Sequence, residues 1–269
     1  MAKNKKIKKV GLALGSGGFR GPAHIGVLKA LCDNGIKIDF ISGSSAGAIV
    51  AAHYAIFKDP KRAEKDILKQ QDNKYYYLRD LNLSNGLLSG NTLEKNFSKM
   101  YEEANFSDSH IPLAVVSTDL VTGDPFVFKK GSVAKAVRAS ASLPFTFKPL
   151  KYEGKVLIDG GISEPVPDKI LKEMGADVVI SVSLYNKRKF LNGKFTLPKV
   201  VNRAVEISLL NASNRSMDHS DIIINPDTSH YASAPRLKSY FSSKISLEII
   251  KIGEKATIDK LSEIKKMLR

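Results

Sequence analysis

Cysteine is almost missing from this chain: Cys32 is the only one in 269 residues. No intramolecular disulfide can form, and zinc, iron–sulfur and cysteine-nucleophile chemistries lose most of their support. Cys32 itself lies in an apolar helical stretch and reads as a core residue. Tryptophan is absent. No window reaches the roughly 18 consecutive apolar residues that a membrane-spanning helix needs. Met1 to Lys9 is basic enough to open a signal peptide. The apolar run behind it, Val10–Leu14, is short, enters glycines directly and carries no small-residue cleavage pattern. Residues 1–8 are therefore read as a basic tail leading into a first strand, and the expected location is cytoplasmic. Acidic residues are also scarce, 27 Asp and Glu against 42 Lys and Arg, for a net charge of +15. That imbalance favours anionic partners such as acidic lipid headgroups or nucleic acid, although many lysine-rich proteins are basic without an anionic ligand.

The composition is otherwise that of a chain with a core, 43% apolar. Apolar runs of strand length alternate with helical patterns, which predicts an α/β fold with a mostly parallel central sheet. Strands are expected at Val10–Leu14, Phe40–Gly43, Leu113–Thr118, Phe126–Phe128, Val156–Ile158, Val178–Val182 and Ile222–Ile224. Pro22 suits a first helical turn, with Ile25, Leu28, Leu31 and Cys32 on one face and Gly35 at the end. From Ala46 to Phe57 the residues are small and apolar on nearly every side, the pattern of a buried helix. Further helices are expected at Pro60–Gln71, Leu93–Tyr101, Ser132–Ser140 and Leu247–Leu268. With neither repeat nor linker in evidence, 1–269 is read as one domain. Its chemistry-bearing blocks fall within 10–163, and 164–269 completes the fold.

Gly43-Ser44-Ser45-Ala46-Gly47 fits the G-x-S-x-G elbow, in which the middle serine sits on a sharp strand-to-helix turn and the glycines permit close packing. A strand pattern precedes it and a helix pattern follows, so Ser45 is the candidate nucleophile and Ser44 a structural neighbour. A serine hydroxyl needs a group to take its proton. His53 is eight residues along the same helix, about 12 Å away at 1.5 Å per residue. His24 reads as a helix-packing residue, and no motif surrounds His110. His219 and His230 leave a Ser…Asp…His order formally open. Asp159 is the stronger candidate: it ends the apolar strand Val156–Ile158, and Gly160-Gly161 behind it allows another chain to approach. Burial raises the pKa of such a carboxylate and makes it a better base. A plain Asp-Gly turn is the competing reading.

Gly15–Gly21 lies between a strand and a helix. A dinucleotide fingerprint needs glycine where this chain has Arg20, and a Walker A loop needs Gly-Lys-Ser/Thr at its end, which is missing. The other reading is a backbone nest in which Gly17 and Gly18 N–H groups face a developing oxyanion. Arg20 would then support the loop or meet an anionic headgroup.

The glycine loop with Arg20-Gly21 and His24-Ile25-Gly26-Val27-Leu28, the Gly43–Gly47 elbow, Arg138 to Pro149 and Asp159-Gly160-Gly161 together resemble the patatin-like phospholipase family. Gly86–Gly90 and Asn225-Pro226-Asp227 are similar to that family too, so the likeness runs from Val10 to about Gly253. The resemblance implies a three-layer α/β/α fold and a Ser45–Asp159 dyad without histidine. It also implies an oxyanion hole in the glycine loop, no metal or other cofactor, and hydrolysis of fatty-acyl esters of lipids. Ser16 departs from the pattern, standing where many members have a third glycine, and its N–H is expected to stay available. Membrane contact, if made, would be peripheral, through the basic and apolar surface of the catalytic domain. Two alternatives use the same fold, a lipid acyltransferase and a non-catalytic lipid-binding protein. A nucleic-acid-binding role is disfavoured because the lysines are dispersed and no recognised motif is present. The Asn73–Asn91 passage is a candidate lid.

Overall fold

The computed structural model describes residues 7–71, 88–144, 146–186, 196–229, 231 and 242–269. The Asn73–Asn91 passage therefore falls almost wholly outside the described residues. Among the described residues eight strands form one sheet in the order β5-β6-β3-β2-β1-β7-β8, with β4 also paired to β3. The strands are β1 (Val10–Leu14), β2 (Phe40–Ser44), β3 (Leu113–Asp119), β4 (Pro125–Phe128), β5 (Leu150–Tyr152), β6 (Lys155–Ile158), β7 (Val178–Val182) and β8 (Ile222–Ile224). The neighbours β3-β2-β1-β7-β8 are all parallel, and β4, β5 and β6 add antiparallel pairings at one edge.

Alternation along β1 sets the layers. Val10, Leu12 and Leu14 face the larger cluster, which includes α1 (Pro22–Asp33), α2 (Ala46–Phe57), α4 (Asn91–Met100), α5 (Val133–Ser140) and the long α8 (Ser243–Leu268). Ala13 faces a smaller cluster on the other side, with Ala114, Val179, Ile170 and Leu171. Here α6 (Lys169–Glu173) packs closely, because the sheet offers only small residues. A Cβ at Gly11 would lie 2.9 Å from Ala176 Cβ. The result is a sheet covered on both faces, as parallel strands require. Helix α3 (Pro60–Gln71) lies beside α1 and α2.

The small residues of α1 and α8 explain their intimate packing. A Cβ on Gly26 would fall 1.9 Å from Ile250 O, and one on Gly253 2.0 Å from Ala23 O. The two backbones thus touch where side chains are missing. Cys32 is half-buried and its sulfur lies 3.3 Å from Tyr54 Oη, so it packs against the core as a weakly polar filler.

Candidate functional site

The catalytic candidates collect at the carboxyl ends of β2 and β3, the usual location of sites in parallel α/β sheets. Ser45 follows β2 and precedes α2 with φ 52 and ψ −118. That left-handed conformation is strained for a side-chain-bearing residue, at a cost of order 1–3 kcal/mol, and it points the hydroxyl away from the strand. The glycines flanking it allow this crowding. A Cβ on Gly47 would lie 2.0 Å from Leu14 O, and one on Gly43 2.6 Å from Ala48 Cα.

Strand register explains how Asp159 reaches it from 114 residues away. Ser44 is paired with Val116 in the parallel β2–β3 ladder. Strand β6 runs antiparallel to β3, with Ile158 opposite Thr118, so the chain leaving β6 passes along β3 toward Val116. Gly160 fits against that carbonyl, where a Cβ would be 2.1 Å from Val116 O and 2.8 Å from Ser44 Oγ. The outcome is a 2.7 Å hydrogen bond from Ser45 Oγ to Asp159 Oδ2. Gly161 N–H donates to Asp159 Oδ1 at 2.8 Å. Thr118 Oγ1 donates to the Asp159 carbonyl at 2.8 Å.

Asp159 is only 3% exposed, and burial pushes its pKa up to about 6, with the bonds from Ser45 and Gly161 pulling the other way. Desolvation dominates because no cation is bonded to the carboxylate among the described residues. No histidine among the described residues is hydrogen-bonded to Ser45. His53 Nε2 lies 3.1 Å from Asp66, His219 Nδ1 is 3.5 Å from Asp168, and His230 lies outside the described residues.

The glycine loop runs beside this pair. Gly15 N–H donates to Val182 O at 3.0 Å and Ser16 N–H to Pro165 O at 2.7 Å. The expectation that Ser16 keeps an available N–H is thus corrected: Pro165, held beyond the Asp-Gly-Gly turn, takes it. Gly17 and Gly18 N–H groups donate to no acceptor among the described residues. Gly18 has φ 58, a conformation glycine adopts without strain. Arg20 is buried at 5% exposure, its Nε donating to Gly17 O and its NH1 to Leu184 O, both at 3.0 Å. Its guanidinium lies 4.7 Å from the Tyr185 ring centre. Those bonds tie the loop down, and a group so enclosed is not presented to a lipid headgroup. His24 does more than pack a helix: Nε2–H donates to Gly15 O at 2.7 Å. Burial drives its pKa down to about 4, so the ring is neutral at physiological pH.

Two residues escaped the sequence reading. Ser140, at the end of α5, accepts the Ser45 N–H at 2.8 Å and donates to Val116 O at 2.5 Å. Ser142 O accepts the Asp159 N–H at 3.0 Å, and the Ser142 hydroxyl accepts from buried Arg138 at 2.7 Å. The segment 138–142 therefore grips both halves of the pair. Only the motif block Arg138–Pro149 hinted at it. Ser140→Ala strands a buried N–H and a buried carbonyl, so it should cost about 1–3 kcal/mol of stability. Turnover should fall about tenfold or more as the elbow relaxes. Urea unfolding with parallel steady-state rates checks both.

Among the described residues no group of three or more His, Cys, Asp or Glu is arranged to hold a metal ion, and no helix is long and apolar enough to cross a membrane.

Comparison with known proteins gives a consistent picture. Residues 12–171 match the patatin-like phospholipase family. An uncharacterised NTE family protein of Mycobacterium tuberculosis is 35% identical over 176 residues, covering 65% of this chain and 49% of that protein. The human patatin-like phospholipase domain-containing protein 6 is 31% identical over 181 residues, 65% of this chain and 13% of that protein. This chain thus spans about half the length of its mycobacterial relatives, and far less of the human one. The crystal structure of VipD from Legionella pneumophila superposes with a TM-score of 0.63 over 96% of this chain and 67% of that one, at 15% identity. That superposition supports the fold.

Proposed function

Because the chain belongs to the patatin-like phospholipase family, we propose that it is a serine hydrolase of lipid acyl esters that works through a Ser45–Asp159 dyad. The observation that carries the reading is the 2.7 Å bond between a buried carboxylate and a serine on a strained elbow. Ser45 Oγ attacks the ester carbonyl while Asp159 Oδ2 accepts the hydroxyl proton. The N–H groups of Gly17 and Gly18 face the oxygen on which negative charge develops, and the N-terminus of α2 adds its dipole. Collapse of the tetrahedral intermediate breaks the ester C–O bond, with Asp159 returning its proton to the leaving alcohol. Water then attacks the acyl-enzyme, giving its proton to Asp159, and the fatty acid departs as Ser45 recovers a proton.

The raised pKa suits this duty. A carboxylate near 4 is too weak a base to draw a proton from a serine, and one near 6 holds it better while remaining ionised at neutral pH. Substrates of this class reside in aggregates, so the enzyme works at a lipid surface. The test is fatty-acid release from phospholipids, lysolipids, galactolipids and triglycerides, with glycerol or lysolipid present as competing acceptors. Wild type is expected to release free acid from at least one lipid class while the Ser45→Ala chain does not. Release by both, or by neither, would reject the reading.

A further inference from the structure

The first half of helix α7 (Leu197–Arg215) is built inside out, whereas Leu209 and Leu210 further along are half-buried. Its outward positions follow the i, i+3, i+4, i+7, i+8 rule from Leu197 through Val200, Val201, Ala204 and Val205, all exposed; Leu197 is 76% and Val201 49% exposed. The side turned inward carries the Arg203–Glu206 pair and Ser213, which is buried against Ser183. A surface helix normally presents charge to water and apolar residues to the core, so this arrangement calls for an apolar surface outside.

The helix stands at the candidate active site. It packs against the Gly160–Ile162 turn that follows Asp159. Tyr185, whose hydroxyl bonds Ser16 at 3.3 Å, feels the charges of both Asp159 and Glu206. Ile162 on that turn is exposed, as are Leu120 and Val121 just beyond β3, which packs against the same turn. Exposed apolar residues thus stand on the turn that follows Asp159 and just beyond the strand that packs against it. Charge is the second observation. The chain carries 42 Lys and Arg against 27 Asp and Glu, a net charge of +15. An exposed apolar helix face on a protein of that charge is matched by an apolar layer bearing anionic headgroups, which is an anionic lipid interface.

We propose that the outer face of α7 seats this protein on an anionic lipid surface and so brings the mouth of the Ser45 site onto its substrate. The proposal rests on the lipid-ester reading for its purpose, but binding can be measured without catalysis. The Ser45→Ala chain is sedimented with vesicles of phosphatidylcholine alone and of phosphatidylcholine with phosphatidylglycerol. Binding to the anionic vesicles is expected, with weaker binding to neutral ones and weakening as salt rises. Adding Val201→Asp and Val205→Asp should lower partitioning at least about tenfold, whereas Ile258→Asp, on the exposed side of α8, should not. Thermal melting and size exclusion show whether the variants stay folded and in the same assembly. Equal vesicle binding by the double variant overturns the proposal, as does the absence of binding to either vesicle. A shift from dimer to monomer in the double variant with vesicle binding intact also overturns it, in favour of contact between copies. Failure of the hydrolase reading would appear separately, as wild type that binds vesicles but releases no fatty acid.

Discussion

Ser45→Ala is expected to lower hydrolysis of a short p-nitrophenyl ester by at least about 10⁴-fold, because on the proposed mechanism it removes the nucleophile and eliminates the covalent route rather than weakening it. Residual activity would come from solvent water held near the Gly17 and Gly18 N–H groups. The substitution is gentle on the fold. The lost hydroxyl makes one bond, to Asp159, while the Ser45 main chain keeps its bond to Ser140. Methyl in place of hydroxymethyl also leaves the left-handed turn with the same Cβ. A large loss of rate with a nearly unchanged unfolding midpoint is thus expected, and rates measured beside urea curves separate chemistry from misfolding.

Asp159→Asn has two opposite effects. Activity is expected to fall about 10³-fold or more if Asp159 is the proposed base, because the amide keeps the shape and loses the basicity. Stability rises at neutral and alkaline pH. The aspartate pKa is pushed from 3.8 up to about 6 in the folded protein, so the fold prefers the protonated acid. Its contribution to stability is full below about pH 4 and declines as pH rises through about 6, reaching a deficit on the order of 3 kcal/mol once the group is ionised. The asparagine variant lacks that deficit, so its advantage over wild type should grow between pH 4 and 7 and then level off. On the proposed mechanism the same titration governs wild-type catalysis, so kcat/KM should climb with pH, pass half its plateau near pH 6 and stay high above it. Urea midpoints and pH–rate profiles of the two proteins, taken together, check the sign of each effect.

Much of this arrangement can be read from local pattern, since the decisive turns announce themselves. Ser45 is flanked by glycines whose missing Cβ atoms the backbone fills, and Asp159 ends an apolar strand. The β7 and β8 strands and α3 stand where periodicity placed them. What stayed hidden depends on partners distant in sequence or on unusual local chemistry. Strand β5 pairs with β6 through Glu153-Gly154, both at positive φ, and glutamate is not a residue that signals such a hairpin. That the apolar stripe of α7 faces outward is likewise not encoded in its spacing, which is the same for an inward-facing stripe. The role of Ser140 depends on β2 and β3 meeting beside α5, and the fate of the Ser16 N–H depends on Pro165, which reaches the loop only once β6 is in place. Short-range spacing contains none of this.

The most direct measurement is covalent labelling by a fluorophosphonate ester, followed by peptide mapping and a rate for the adduct at several pH values. The account requires the adduct on Ser45, forming with a rate that rises through about pH 6 in wild type and collapses in Asp159→Asn. An adduct on another serine, or equal labelling rates in the two proteins, would show that this carboxylate does not activate this hydroxyl.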